Sequence, residues 1–270
     1  MRDMRKLLAT CLLLGLSVTA RAQTAAGDSE QVARESRWQD LEKSLFGERR
    51  AEPAGALVRL EAPDRADDAA LVPMTIRFAE PDKVKELYLV IDDNPSPVAA
   101  HFIFGPAADP LAVKLRVRVN TYTNVHAVAL MQDGALIADA KFVKASGGCS
   151  APMGASDEEA MQGMGEMRMK FFAAAPGLAE AKLMLRHPNF NGMQMNQVTR
   201  NFTPARFLDH VVVKEGDELV FDLSTSISMS TDPVLSFGLR PRGDSKVSVE
   251  AHDSSNGAWR QAFDMPALSN

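Results

Sequence analysis

The sequence predicts an all-β protein made of two immunoglobulin-like antiparallel β-sandwich domains joined by a flexible linker. Three observations carry this expectation. Short apolar runs recur along the chain and several alternate with polar residues, as in Lys114-Leu115-Arg116-Val117-Arg118-Val119, the period of a strand with one wet face. Turn-forming clusters separate the runs, among them Asn94-Pro95-Ser96-Pro97, Gly105-Pro106 and Asp133-Gly134. A change of composition over 150–178 interrupts the pattern midway, and 270 residues are enough for two domains of about 100 to 150 residues each.

Taken in order, Arg2, Arg5 and Lys6 precede the apolar run from Leu7 to Leu16, and Ala20-Arg21-Ala22 follows. This is the pattern of a secretory signal peptide over 1–22, with cleavage expected between Ala22 and Gln23. The apolar run is shorter than the roughly 20 residues that a membrane span needs, so no span is expected. A short amphipathic helix is expected around Trp38, Leu41, Leu45 and Phe46. The first domain, 38–149, then reads as strands near Leu57–Leu60, Leu71–Phe78, Val84–Ile91, Val98–Phe104, Leu111–Val119, Val125–Met131 and Leu136–Val143. About seven short strands at this spacing is the immunoglobulin pattern. Residues 150–178 hold Met153, Met161, Met164, Met167 and Met169 among small and acidic residues, and read as a linker, partly helical. The second domain, 179–266, has strand runs at Ala181–Arg186, Leu208–Val213, Glu218–Leu223, Val234–Leu239, Lys246–Ala251 and Trp259–Phe263.

Removal of 1–22 takes away Arg2, Arg5, Lys6 and Arg21 against one acid, Asp3, which moves the formal net charge from −5 to −8. An acidic chain without clustered cations gives no case for nucleic acid. The same cleavage removes Cys11 and leaves Cys149 as the sole thiol. An odd cysteine in an exported protein points to intermolecular pairing or a reactive thiol. Its setting, Ser146-Gly147-Gly148-Cys149-Ser150-Ala151-Pro152, offers little to bury, so the thiol is expected on a flexible arm at Gly147 and Gly148, where it can be reached.

At these residues the chain resembles a known family. Leu60-Glu61-Ala62-Pro63, Leu71-Val72-Pro73, Asn94-Pro95 with Ala99-Ala100-His101-Phe102, Thr123-Asn124-Val125-His126-Ala127-Val128 and the closing Gly147-Gly148-Cys149 resemble SoxY. Arg186-His187-Pro188, Thr203-Pro204-Ala205-Arg206-Phe207-Leu208, the stretch from Ser228 to Phe237, and Asp253 with Asn256-Gly257 resemble SoxZ. The whole is similar to the fused SoxYZ-like carriers associated with quinoprotein dehydrogenases. The resemblance implies a periplasmic carrier and not an enzyme, with no catalytic residues and no cofactor, in which Cys149 covalently holds a sulfur-containing or other thiol-reactive intermediate. It further implies that the two halves pair within the chain, and that the partners are enzymes of sulfur oxidation or a quinoprotein dehydrogenase system. In the stand-alone family protein the cysteine lies at the very end of the chain, usually followed by glycine, whereas here Ser150 to Asn270 follow it, so the arm must enter a partner as a loop.

Two other readings stay open beside the covalent carrier. One is a non-covalent accessory or assembly module for a periplasmic dehydrogenase. The other is copper(I) binding by the linker methionines with Cys149, since soft thioethers and thiolates suit that ion. His101, His126, His187, His210 and His252 lack metal-ligand spacing and read as packing or hydrogen-bonding residues, so no metal site is expected. No nucleophile elbow, phosphate loop or metalloprotease helix is present in the sequence.

Overall fold

Each segment read as a strand folds as one; in most of them alternation places one row of side chains in the core and leaves the other wet, while those at 84–91 and 123–131 are buried on both faces over much of their length. The computed structural model describes residues 29–152, 156–197, 199–243 and 246–266; the expected signal peptide and Met153 lie outside them. The opening segment forms helix α1 over 29–46, in a unit ending at Arg49, and Gly47 follows it at φ 68°. A second unit begins at Arg50 and holds all of the strands among the described residues.

Its first half contains β1 (Glu52–Pro53), β2 (Val58–Glu61), β3 (Val72–Phe78), β4 (Val84–Ile91), β5 (Val98–Phe104), β6 (Ala112–Val117), β7 (Thr123–Met131) and β8 (Leu136–Val143). After a short helix α2 (Asp157–Met161), the second half contains β9 (Met167–Ala175), β10 (Leu178–Leu185), β11 (Leu208–Glu215), β12 (Glu218–Thr225), β13 (Val234–Leu239), β14 (Lys246–Asp253) and β15 (Ala258–Asp264). Ser156 caps α2 by accepting from the Glu159 N–H while the Glu159 carboxylate accepts from the Ser156 N–H, a reciprocal capping box.

The strands form two sheets, and both run through the two halves. One has the order β1-β8-β7-β4-β5-β12-β11-β14-β15, the other β2-β3-β6-β13-β10-β9. The junction in the larger sheet is the antiparallel pair β5–β12, from Phe104 opposite Phe221 to Ala100 opposite Thr225. In the smaller sheet it is β6–β13, with Lys114 opposite Ser236. The all-β sandwich expectation holds, and the expected pairing of the two halves within the chain runs through hydrogen-bonded strands and one shared core. Phe102 from the first half meets Phe221 from the second edge to face at 5.4 Å, and Phe221 meets Phe237 at 4.8 Å.

The linker assignment over 150–178 is corrected. Residues 167–175 form β9, which pairs with β10 from Met167 opposite Leu185 onward. Met167 is buried, and Met169 and Phe171 pack partly buried against the core, while Arg168 and Lys170 face outward. Methionine here is a strand residue filling the core, which takes Met167 and Met169 out of any exposed thioether cluster.

A docked cysteine arm beside a buried arginine

Past β8 the chain lies down in a groove of its own half. Gly147 N–H donates to the Asn120 carbonyl at 2.8 Å and Gly148 N–H to the Val119 carbonyl at 3.1 Å, while Ser150 N–H turns back to the Gly147 carbonyl. Gly147 has φ 78°, a left-handed conformation that glycine adopts without strain. Gly148 is required for a different reason: a Cβ there would lie 2.1 Å from the Ala69 carbonyl oxygen and 2.6 Å from that of Val119. The arm thus packs backbone against backbone. From the other half, Asn191 Nδ2 donates to the Cys149 carbonyl at 2.6 Å, and Gln194 Nε2 to that of Ala151 at 3.4 Å.

This arrangement leaves Cys149 fully buried as a free thiol. The expectation of a reachable sulfur on a loose arm is corrected for this state of the protein. Small, polar neighbours do not hold a cysteine out in solvent when glycines allow the chain to dock and the second half supplies the cover. Burial pushes the thiol above its ordinary pKa, and the positive charge of Arg118 opposes that shift.

Arg118 is the residue that the sequence reading missed. It follows β6, between the core residues Val117 and Val119, so its side chain leaves the sheet on the opposite face, a position that alternation alone assigns to solvent. Instead it is 1% exposed. Its guanidinium donates to the Met229 carbonyl and to Thr231 Oγ1, while its Nε–H has no acceptor. Among the described residues no carboxylate lies within ion-pairing distance of it. Burial lowers its pKa to about 10, with Cys149 acting in the other direction, so the group remains a cation near neutrality. A buried cation lacking a carboxylate counter-charge, next to the one thiol among the described residues, is the principal electrostatic feature of the site.

The junction between the halves fixes this arginine. Asn94 Nδ2 donates to the Arg118 carbonyl at 2.7 Å and to Ser228 Oγ at 2.9 Å, and Asn94 Oδ1 accepts from the Asn120 N–H. Ser228 Oγ in turn donates to the Ser96 carbonyl. The Asn94-Pro95 turn and the Ser228–Thr231 stretch, both visible in the sequence, are therefore the two sides of one polar seam.

All five histidines face carboxylates: His101 with Glu86, His126 with Asp92, His187 with Asp253, His210 with Asp222 and His252 with Glu250. Fully buried His187 also has Nδ1 2.8 Å from Asn189 Oδ1, whose amide spans to the Ser230 carbonyl and the Leu208 N–H. Burial raises the Asp253 pKa, but Arg206, the N–H groups of Gly257 and Ser255, and His187 together bring it below the ordinary value. Among the described residues no three His, Cys, Asp or Glu side chains gather as a metal site.

Residues 42–149 match the family model described as sulfur oxidation protein SoxY, and residues 167–264 match that described as sulphur oxidation protein SoxZ. No curated protein matches the chain. Among solved structures, the sulfur carrier protein SoxY from Chlorobium limicola f thiosulfatophilum is 27% identical over 43% of this chain and 98% of its own, with a TM-score of 0.38. A β-glycosidase from Bacteroides vulgatus is 7% identical over 77% of this chain and 24% of its own, with a TM-score of 0.22. At these TM-scores the superpositions carry no weight for fold or function. The SoxY match ends on Cys149 itself and the SoxZ match begins on the first residue of β9, so the chain is a SoxYZ-like fusion, a SoxY domain continued by a SoxZ domain in one polypeptide.

Proposed function

We propose that the protein is an exported, periplasmic carrier that holds a sulfur-containing intermediate on Cys149 and presents it to partner enzymes of sulfur oxidation or of a quinoprotein dehydrogenase system. The observation that carries this reading is the pairing of the sole described thiol with a buried arginine that lacks a carboxylate. Structural arginines in a protein interior are normally neutralised by Asp or Glu. Here the group able to become negative beside Arg118 is Cys149, either as thiolate or as an anionic adduct, and the Arg118 Nε–H is a donor still lacking an acceptor. Arg118 thus offsets part of the cost of burying a negative charge on Cys149, although burial still holds the docked group as the neutral thiol.

Loading needs no external oxidant when the donor already contains an S–S bond. The Cys149 thiolate attacks R–S–S–R′, forms Cys149–S–S–R and expels R′–S⁻, and the reverse exchange unloads it. The thiolate is the nucleophile, so Arg118 assists by opposing the burial that favours the thiol. Access requires the arm to leave its groove, and Gly147 and Gly148 give it the backbone freedom to do so.

Intact-mass analysis of protein isolated from the periplasm without reductant tests this, with peptide mapping across Cys149. Reductant-labile sulfur adducts on Cys149, absent from a folded Cys149→Ser variant, are expected. An unmodified thiol, together with full complementation by Cys149→Ser in the producing cell, would refute the covalent reading.

A further inference from the structure

The outer face of the six-stranded sheet carries a cleft of about 430 Å³ in which three guanidinium groups converge: Arg116 of β6, Arg168 of β9 and Arg186 just beyond β10. Met184, opposite Arg168 in the ladder, forms an apolar wall, and Glu166 and Asp232 complete the lining. Asp232 is already engaged. One of its carboxylate oxygens pairs with Arg186 at 2.6 Å, the other accepts the His187 N–H at 3.0 Å, and its carbonyl accepts from Arg116 at 3.3 Å. Counting both carboxylates, the cleft keeps one excess positive charge. Beside it Lys170 and Lys182 stand directly opposite each other on the same face, a like-charge pair that raises the potential further and is unfavourable without a counter-anion. Two donor groups in the cleft are unused: the Arg168 guanidinium has no hydrogen bond or ion pair among the described residues, and the buried Arg116 Nε–H has no acceptor. In a chain of net charge −5 this is a local inversion of sign.

We infer that this cleft binds a tetrahedral, multiply charged oxyanion, which on the carrier reading proposed above is of the sulfate or thiosulfate class. Guanidinium forks present paired N–H donors that match oxyanion edges, and three of them around one cleft suit a multiply charged anion better than a carboxylate. The cleft adjoins the cysteine site. Arg116 and Arg118 are successive outward residues of one extended segment, about 6.6 Å apart, and residues 229–232 tie them together, since Arg118 holds Met229 and Thr231 and Arg116 holds Asp232. The anion has two sources: a free oxyanion, or the terminal sulfonate of an adduct on Cys149. The first stands without the carrier reading and the second rests on it.

Calorimetric titration of the full chain in a Cys149→Ser background, where nothing can attach covalently, tests the site itself. Sodium thiosulfate and sodium sulfate at low ionic strength are expected to bind saturably, with sodium chloride as the control. Arg168→Ala, an exposed position, is expected to weaken binding at least about tenfold with the melting temperature unchanged. The absence of saturable heat, or binding indifferent to both Arg168→Ala and Arg116→Gln, would overturn the inference. To separate the sources, the Cys149 protein is loaded with tetrathionate, which leaves Cys149–S–S–SO₃⁻ and releases thiosulfate. Loss of thiosulfate binding on loading assigns the cleft to the tethered sulfonate, and unchanged binding assigns it to the free anion.

Discussion

Gly148→Ala is expected to eject the cysteine arm while the sheets stay folded. The added Cβ would meet the Ala69 carbonyl oxygen at 2.1 Å and the Val119 carbonyl oxygen at 2.6 Å. Both are backbone atoms of the fold, so neither can swing aside as a side chain would. Relief requires the arm to move by more than 1 Å, which breaks the Gly148-to-Val119 hydrogen bond and strains those from Gly147 to Asn120 and from Asn191 to the Cys149 carbonyl. Three hydrogen bonds at about 0.5 to 1.5 kcal/mol each, with partial loss, lower the cost of opening by about 2 kcal/mol. At 1.4 kcal/mol per factor of ten, the rate at which iodoacetamide alkylates Cys149 under native conditions rises about 30-fold. Gly147→Ala is the internal comparison: its Cβ finds only Ser150 Oγ at 3.7 Å, so the cost there is left-handed strain of about 1 to 2 kcal/mol without a clash. Alkylation of Gly148→Ala within twofold of wild type, at an unchanged melting temperature, would show that the groove does not hold the arm as argued.

Other perturbations read the same site from different directions. Arg118→Met removes the charge that opposes burial, so the apparent pKa of Cys149 alkylation moves further up, and a profile that stays in place would refute the coupling. The docked arm favours the thiol, so its stability is complete below the ordinary thiol pKa of about 8.5 and is lost as pH rises toward the raised value. Hydrogen-exchange protection of the Gly147 and Gly148 amides should accordingly fall above about pH 8.5 in wild type but not in Cys149→Ser. Asp253 behaves in the opposite sense: its lowered pKa contributes stability present above about pH 4 and lost as pH falls through the lowered value, and Asp253→Asn should flatten that acid limb of the melting curve. Because β5–β12 and β6–β13 join the halves, calorimetry of the strand-bearing unit should give one unfolding transition, and two resolved transitions would contradict the shared sheets.

Strand positions were legible because alternation and turn residues are local signals, and the segments from β2 to β8 and from β10 to β15 follow the sequence closely. β9 was legible in principle: Met167, Met169 and Phe171 alternate with Arg168, Lys170 and Phe172, and only the reading of methionine as linker residue concealed it. The joining of the sheets was not legible, since the β5–β12 ladder is made by backbone groups that every non-proline residue possesses. At the site, Cys149 and the two glycines stood out by composition and position. Its burial did not, because the cover comes from Asn191 and Gln194, more than forty positions away in the chain. Arg118 was hidden for a related reason: the face that alternation gives to water is occupied by residues 228–231 of the other domain.

The placement of β8 and α2 sets what kind of doorway a partner must have. From Val143, the end of β8, to Cys149 is six residues, which at about 3.4 Å each gives a reach of about 20 Å once the arm is free. The other tether, from Cys149 to the start of α2 at Asp157, is eight residues and so does not limit that reach. Continuation into a second domain therefore costs the cysteine no distance, but it doubles the girth of what is inserted. A chain end slips into a tunnel one strand wide, whereas this loop carries its return strand with it and needs a slot about 10 Å across, two strand spacings. Enzymes that serve this carrier should be recognised by an open trench over the reacting group in place of a narrow bore.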